Sequence, residues 1–277
     1  MIPSAKNPRF ARWFSNQAYD RIRSHFSQLH IAGREHLDEA LRRGPTLVVS
    51  NHSSWWDPMF VLMLTERFFA ADMYAMMAEE NLRRLPFFAK VGGFGVDRSS
   101  RRDGARAIGY AQSLLDRPGR LVWIFPQGTE RPLHERPLAF FGGAARVAQR
   151  SEQAVVVPVA LSYHHGAAPE PEAYVSIGAA LPHESSAAAG TRMQARAVTE
   201  QLERIEQERC EPGTRGFEAH VLQQRNWLGS LPERLLAGMT RPFVPGLRGL
   251  EHAPGAQHQA ALAPVHSTRT ERGATKG

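Results

Sequence analysis

Apolar residues form short continuous runs along this chain instead of alternating with polar residues. Three of these runs cover residues 46–50, 121–125 and 154–162, and two weaker ones cover residues 72–78 and 173–178. A strand that is covered on both faces, as in a parallel sheet, has this continuous apolar composition. We therefore predict strands at all five runs and expect the first three to be buried.

Helical patterns lie between these runs. Pro58 directly follows Asp57 and marks the start of one helix, because proline is favoured at the first helical position. Further helices are predicted for residues 104–116, for a segment that ends near Arg150 and for residues 187–208. Strands that alternate with helices predict an α/β fold with a mostly parallel central sheet flanked by helices. In such folds ligands bind beyond the carboxyl ends of the strands.

The N-terminal segment, residues 1–30, carries a different pattern. Its apolar residues recur every three or four positions, which predicts an N-terminal amphipathic helix over residues 8–30. Met1 to Arg34 contains six basic residues and one acidic residue, Asp20. We expect this helix to contact an anionic membrane surface, where such a composition is favourable. The alternative is that its apolar face packs on the domain core. The residues of that face are Phe10, Trp13, Phe14, Ala18, Ile22, Phe26 and Leu29.

The remaining chain divides into three further segments. Residues 31–210 hold the strand and helix pattern and form the predicted α/β domain. Residues 211–245 predict a C-terminal helical extension, with one or two helices within residues 217–238. Residues 246–277 are rich in Ala, Gly, Pro and His and have almost no large apolar side chains. We expect this tail to be disordered for lack of a surface to bury.

Composition narrows the range of partners and compartments. The formal net charge is +7, which favours anionic partners such as lipid head groups and the phosphates of coenzyme A. The single Cys210 excludes a disulfide framework within the chain and a cysteine-based zinc site, and it agrees with a reducing compartment. No apolar run is long enough to span a membrane, and no signal-peptide pattern is present.

His52 and Asp57 form the candidate catalytic pair. The strand at residues 46–50 delivers His52 to a strand-to-helix turn, and Asp57 stands at the start of the next helix. A neutral imidazole can accept a proton near neutral pH, and a carboxylate on its other nitrogen stabilises the imidazolium that forms. The alternative is that Asp57 only caps the helix and that His52 is an ordinary turn residue.

Four blocks in order favour the catalytic interpretation. They resemble the signatures of the glycerolipid acyltransferase family, which includes the 1-acylglycerol-3-phosphate acyltransferases. The first block is the His-x4-Asp of His52 and Asp57, and the others follow it downstream. They are Gly92-Gly93-Phe94-Gly95-Val96-Asp97-Arg98, Phe125-Pro126-Gln127-Gly128-Thr129-Glu130 and Val157-Pro158-Val159-Ala160-Leu161.

The resemblance implies transfer of a fatty acyl group from a thioester, on coenzyme A or an acyl carrier protein, to a hydroxyl of a lipid acceptor. His52 would deprotonate the hydroxyl while Asp57 holds His52 in place, and neither a metal nor a redox cofactor is needed. In the family, the position of Arg98 holds the acceptor's phosphate, which suits a planar guanidinium. Backbone amides around Gly128 or after His52 are candidate donors to the oxyanion of the tetrahedral intermediate.

The third block departs from the family pattern. The usual Glu-Gly-Thr-Arg is replaced here by Gln127, Gly128, Thr129 and Glu130, with Arg131 one residue late. We expect these five residues to bind substrate. Because an acid stands where a cation is usual, two acceptors stay open: a lysophosphatidic-acid-type glycerolipid, or a neutral hydroxyl such as the sugar of a glycolipid or glycosylated isoprenoid. A non-catalytic lipid-binding relative is the third alternative.

Other classes lack their motifs. The chain has no Gly-x-Ser-x-Gly, no phosphate-binding Gly-x4-Gly-Lys-Ser/Thr loop and no His-Glu-x-x-His. Its aromatic residues do not alternate with Arg and no nucleic-acid-binding motif is visible, so we expect no nucleic-acid partner. The resemblance and the basic N-terminal segment lead us to expect a cytoplasmic enzyme that lies peripherally on the inner face of the cell membrane.

Overall fold

The computed structural model describes residues 1–166 and 169–222, and these form an α/β fold around one eight-stranded sheet. The strand order is β4-β3-β5-β2-β6-β7-β1-β8. All neighbouring strands are parallel except β6 with β7 and β1 with β8, which are antiparallel. The predicted mostly parallel sheet is therefore confirmed. The strands are β1 (Gln28–Ala32), β2 (Thr46–Ser50), β3 (Asp72–Ala78), β4 (Gly93–Val96), β5 (Arg120–Ile124), β6 (Val155–His164), β7 (Glu172–Ile177) and β8 (Glu218–Val221).

Helices cover both faces of the sheet. They are α1 (Pro8–His25), α2 (Arg34–Arg43), α3 (Asp57–Arg67), α4 (Glu79–Arg84), α5 (Phe87–Lys90), α6 (Arg101–Leu114), α7 (Gly143–Arg150) and α8 (Ala187–Cys210). Alternate residues of a strand point to opposite faces, so each strand supplies both halves of the core. Val48 and Trp123 pack with residues of α1 and α3, whereas Val49 and Ile124 pack with residues of α6 and α7.

Helix α1 is shorter than the predicted helix over residues 8–30. It begins after Asn7, whose side chain accepts hydrogen bonds from two backbone amides, and it ends at His25. Phe26 is extended, and Leu29 is a buried residue of strand β1. The spacing of Phe26 and Leu29 fitted a helix by coincidence, because both are buried by pairing and packing that the local sequence does not reveal.

The inward face of α1 packs on the protein. Its buried residues Ala11, Ser15, Ala18 and Ile22 lie in the interface with α3, and the Ser15 hydroxyl donates to the Leu62 carbonyl. The alternative considered above, that the apolar face of this helix packs on the domain core, is therefore confirmed for these residues. Trp13 stays 52% exposed, so the outward face keeps a large apolar side chain that the described residues cover only in part.

The C-terminal part differs from the predicted helical extension where it is described. Residues Glu218–Val221 form strand β8, which pairs with β1 at the edge of the sheet. A free sheet edge favours pairing with any nearby extended segment, which the helical spacing of Val221 and Leu222 concealed. The rest of the predicted extension and the predicted disordered tail lie outside the described residues. Among the described helices none is long and apolar enough to cross a membrane.

Candidate active site

Three of the four sequence blocks reach the carboxyl edge of the sheet, whereas the fourth, residues 157–161, lies within β6. Strands β2, β3, β4, β5 and β6 run in the same direction, so their carboxyl ends share that edge. His52 follows β2, Arg98 follows β4 and Gln127 follows β5. The topology thus explains how residues far apart in sequence reach one place.

Asn51 fixes the chain as it leaves β2. Its side-chain amide donates to the Leu161 carbonyl at 2.8 Å, and its side-chain oxygen accepts from the Leu161 amide at 2.8 Å. The buried Asn51 side chain therefore makes the two hydrogen bonds to β6 that a strand backbone would make, one residue beyond the end of β2. This pairing sets the starting point of the turn that carries His52.

His52 and Asp57 are directly hydrogen-bonded. The distance from His52 Nδ1 to Asp57 Oδ2 is 2.7 Å. An ionised carboxylate only accepts, so Nδ1 carries the proton and Nε2 keeps its lone pair. Asp57 is fully buried, whereas the His52 side chain is 18% exposed. This arrangement suits a pair in which the partly exposed His52 is the base that faces the substrate, and the buried Asp57 supports it from behind.

Asp57 also organises the turn around itself. Its Oδ2 accepts from the backbone amides of Ser53 at 2.8 Å and Ser54 at 3.1 Å. Its Oδ1 accepts from the Tyr163 hydroxyl at 2.6 Å. A buried charge is tolerated only when it is hydrogen-bonded in this way. Asp57 therefore supports the turn structurally as well as holding His52. The helix cap considered as the alternative is not observed, because the N-cap residue of α3 is Trp56 and no side-chain capping hydrogen bond is made there.

The third block holds the main chain of His52. Gln127, which is buried, accepts a hydrogen bond from the His52 amide with its side-chain oxygen at 2.7 Å. The Arg131 amide donates to the His52 carbonyl at 2.8 Å. The Phe125 ring stacks on the imidazole with centroids 4.5 Å apart. The oxygen of Gln127 is thus engaged with His52, a task different from the substrate binding expected of this residue.

Arg98 joins the second block to the third. Its guanidinium donates from Nη1 to the Gly128 carbonyl, and the side chain is otherwise exposed. Gly128 has a φ of 69°, a left-handed conformation that favours glycine, and a Cβ there would meet Arg98 Nη1 at 3.0 Å. The side chains of Thr129, Glu130 and Arg131 are exposed beyond this contact.

Several of the backbone amides proposed as oxyanion donors are already engaged. The Ser53 and Ser54 amides donate to Asp57, and the Gly128 amide donates to the Phe125 carbonyl at 3.0 Å. In the described part of the chain, the amides of Thr129 and Glu130 donate to no protein acceptor. This pair therefore remains a candidate for an oxyanion, together with the amides of Gln127 in the same loop and Trp55 after His52, which also donate to no described acceptor.

Three residues of the site were missed from the sequence. Asn51, Phe125 and Tyr163 lie within or beside the recognised blocks, but nothing local distinguishes them from ordinary strand-end residues. Tyr163 is 106 residues from Asp57 along the chain, and only the pairing of β2 with β6 brings the two strand ends together. For Tyr163 the sequence did offer one signal, because a polar aromatic residue directly follows the apolar run at residues 154–162.

Comparison with known proteins is consistent with this geometry. Residues 28–162, which contain all four blocks, match the family model described as Acyltransferase. The 1-acyl-sn-glycerol-3-phosphate acyltransferase of Saccharomyces cerevisiae is 28% identical over 130 residues, which are 45% of this chain and 41% of the yeast protein. The chain thus spans about two fifths of the length of that relative.

A solved structure has the same fold. The crystal structure of the 1-acyl-sn-glycerophosphate (LPA) acyltransferase PlsC from Thermotoga maritima matches with a TM-score of 0.53 and 19% sequence identity. The match covers 71% of this chain and 81% of that one. At this identity the likeness concerns the fold, and the residues of the site must be argued from their own contacts.

Proposed function

The domain at residues 28–162 belongs to the glycerolipid acyltransferase family, and on this premise we propose that the chain is an O-acyltransferase. It moves a fatty acyl group from a thioester to a hydroxyl of a lipid acceptor. The observation that carries the proposal is the 2.7 Å hydrogen bond from His52 Nδ1 to the buried Asp57 carboxylate, which leaves Nε2 free at the partly exposed side of the ring.

The proposed reaction needs one base and one oxyanion site. His52 Nε2 takes the proton of the acceptor hydroxyl as its oxygen attacks the thioester carbonyl, and Asp57 stabilises the imidazolium. The amides of Thr129 and Glu130 donate to the oxyanion of the tetrahedral intermediate. When the carbon–sulfur bond breaks, the thiolate leaves and the imidazolium returns its proton to the sulfur. The ester product and the free thiol balance the step without a metal or redox cofactor.

The acceptor we favour is a lysophosphatidic-acid-type glycerolipid. Arg98 is exposed next to the His52 loop, and among the described residues its guanidinium makes one hydrogen bond, from Nη1 to the Gly128 carbonyl. The remaining donors are free to make paired hydrogen bonds to a phosphate. The yeast relative carries the name 1-acyl-sn-glycerol-3-phosphate acyltransferase, which supports the same acceptor class here.

A neutral acceptor hydroxyl is the second candidate, and Glu130 favours it. This residue is exposed on the same loop as Thr129 and Arg131, and no ion pair of Glu130 occurs among the described residues. An unpaired carboxylate repels a phosphate but accepts hydrogen bonds from sugar hydroxyls. The two candidates therefore differ in whether Arg98 or Glu130 contacts the head group of the acceptor.

We further propose that the protein binds peripherally to the inner face of the cell membrane, with coenzyme A or an acyl carrier protein as the thiol carrier. The surface proposed for membrane binding is an aromatic patch on α1 and α5. The ring centroid of Phe14 lies 6.1 Å from that of Phe10 and 5.1 Å from that of Phe87. Trp13 projects from it, and residues 7–17 contain Arg9 and Arg12 but no acidic residue. Aromatic side chains with a cationic rim favour an anionic bilayer surface.

Thiol release from an acyl thioester tests the proposal. The purified chain is supplied with acyl-coenzyme A or acyl carrier protein and with lysophosphatidic acid, glycerol 3-phosphate, other lysophospholipids or glycolipids. We expect the highest rate with lysophosphatidic acid. A preference for a glycolipid would select the neutral acceptor instead. Absence of thiol release with every pair, from protein that is folded by circular dichroism, would identify a non-catalytic relative.

A further inference from the structure

Tyr163 contacts the carboxylate that supports the proposed base. It is the second-last residue of β6, and its hydroxyl donates to Asp57 Oδ1 at 2.6 Å. The other carboxylate oxygen, Oδ2, accepts from His52 Nδ1 and from the Ser53 and Ser54 amides. Within the described residues, Tyr163 is thus the only donor to Oδ1. It lies on β6, whereas the His-x4-Asp block follows β2.

The ring of Tyr163 is held in place by packing. Its centroid lies 5.6 Å from that of Phe26, just after α1, and 5.2 Å from that of Phe60 on α3. Ring pairs at these distances are attractive beyond the area they bury. The hydroxyl therefore has little freedom to leave Asp57, and removing it while keeping the ring leaves the packing unchanged.

We propose that Tyr163 is a positioning residue that orients the Asp57 carboxylate and reduces its pull on the His52 proton. The effect on catalysis rests on the acyltransferase function proposed above. The hydrogen bond fixes Oδ1, so that Oδ2 lies in line with Nδ1 of His52. It also withdraws negative charge from the carboxylate, which weakens the attraction between Asp57 and a protonated imidazole.

Tyr163 can perform this task over the whole working range of pH. Burial, followed by the charge of Asp57, raises the pKa of Tyr163 well above its usual value of 10.0, so the phenol stays protonated. The other charged side chains on the segments around the pair are Arg98, Glu130 and Arg131, which are exposed and therefore screened by solvent. The ring of His25 packs against that of Trp56, with centroids 5.2 Å apart.

Tyr163→Phe, with Tyr174→Phe as its matched control, separates this role from a structural one. Tyr174 also donates its hydroxyl to a carboxylate, that of Glu172 at 2.7 Å, but its ring packs in the core on the other face of the sheet. Both variants lose one phenol hydrogen bond to an acid. Only Tyr163→Phe is expected to change the His52 site.

The first readout does not need activity. The NMR signal of the His52 ring is assigned by its absence from the spectrum of His52→Asn. The midpoint of its pH titration should move up by about half to one pH unit in Tyr163→Phe, because a hydrogen bond to a charged group contributes that order of difference. It should not move in Tyr174→Phe. 3-Fluorotyrosine at position 163 is a stronger hydrogen-bond donor of the same shape and should move the midpoint down. This variant provides the test if Tyr163→Phe does not fold.

The second readout uses acyl transfer. In Tyr163→Phe we expect kcat to fall about tenfold with KM for the thioester unchanged, and the acid limb of the pH–rate profile to move to higher pH. Equal titration midpoints in wild type, Tyr163→Phe and the fluorotyrosine variant would overturn the proposal. A shifted midpoint in a protein that releases no thiol would uphold the positioning role and overturn the acyltransferase function instead.

Discussion

Two parts of the candidate site are built very differently. Around Asp57 the side chain is fully buried, and both carboxylate oxygens are hydrogen-bonded to residues on two different segments. Around Arg98, Glu130 and Arg131, the side chains are exposed, and the main chain makes most of the contacts. The comparison indicates that the proposed base is fixed by the fold, whereas the surface proposed to meet the acceptor is not.

This difference accounts for where the third block departs from its family. Gln127 keeps the one property that its contact requires, an oxygen that accepts from the His52 amide. A glutamate, the usual residue of the family, would offer the same acceptor. The side chain of Glu130 is exposed and makes no hydrogen bond or ion pair with the described residues, so a change of its charge should not disturb His52. The buried part of the block keeps the contact with His52, and the exposed part is the one that we propose selects the acceptor.

The largest effect is expected at the rigid part of the site. His52→Ala should lower acyl transfer by about 10²- to 10⁴-fold, because a positioned general base typically contributes that much. The measurement is thiol release by purified protein, and His134→Ala, which removes an exposed histidine of a surface loop, is the control. An unchanged rate in His52→Ala would refute the general-base role.

A smaller and more selective effect is expected at the exposed part. Arg98→Ala should raise KM for lysophosphatidic acid by about 10- to 100-fold, since a charge-assisted pair to phosphate is lost, and should change KM for a neutral acceptor little. Arg117→Ala, at the opposite edge of the sheet before β5, is the control. Equal increases for both acceptors would show that Arg98 does not bind phosphate.

Gln127 tests whether the buried half of the third block serves His52. Gln127→Leu leaves the His52 amide without its acceptor, so kcat should fall about tenfold and the thermal midpoint of unfolding should also fall. Gln127→Glu keeps an acceptor oxygen and should stay within about threefold of wild type on the same reasoning. A Leu variant as active as the Glu variant would mean that the contact does not position the base.

The smallest effect is expected far from the reaction. Trp13→Ala should weaken co-sedimentation with anionic phosphatidylglycerol vesicles about fivefold, because roughly half of a large aromatic side chain no longer enters the bilayer interface. Trp55→Ala removes a tryptophan of similar exposure that lies outside the aromatic patch. If both variants lose binding equally, membrane contact is not confined to α1 and α5.

Local patterns predicted much of the fold. The continuous apolar composition located β2, β3, β5, β6 and β7, with the boundaries of β2 and β3 as predicted and only small errors at the ends of the other three. The α/β class is confirmed, and residues 28–162 match the Acyltransferase family model, in agreement with the predicted resemblance. Burial on both faces leaves a strong signal in sequence, since most residues of such a strand are apolar and the buried polar ones here are small, such as Thr46 and Ser50.

The features that were missed depend on contacts between distant segments. Strands β4 and β8 are four residues each, too short for a periodic signal. The reversal between β6 and β7 is a property of their connection, which composition does not encode. Within the site, the sequence blocks supplied His52, Asp57 and Arg98, whereas the partner of Gln127 lies 75 residues away and could be found only in three dimensions. The catalytic and substrate-binding roles remain predictions until the variants are measured.

The position of β1 limits how the protein can be shortened. Although it is the first strand of the chain, it lies inside the sheet with β7 on one side and β8 on the other. A truncated form that starts after residue 30 would lose most of this strand, together with the Phe26 ring that abuts Tyr163. Experiments that aim to remove membrane affinity should therefore replace surface side chains one at a time and leave the polypeptide at full length.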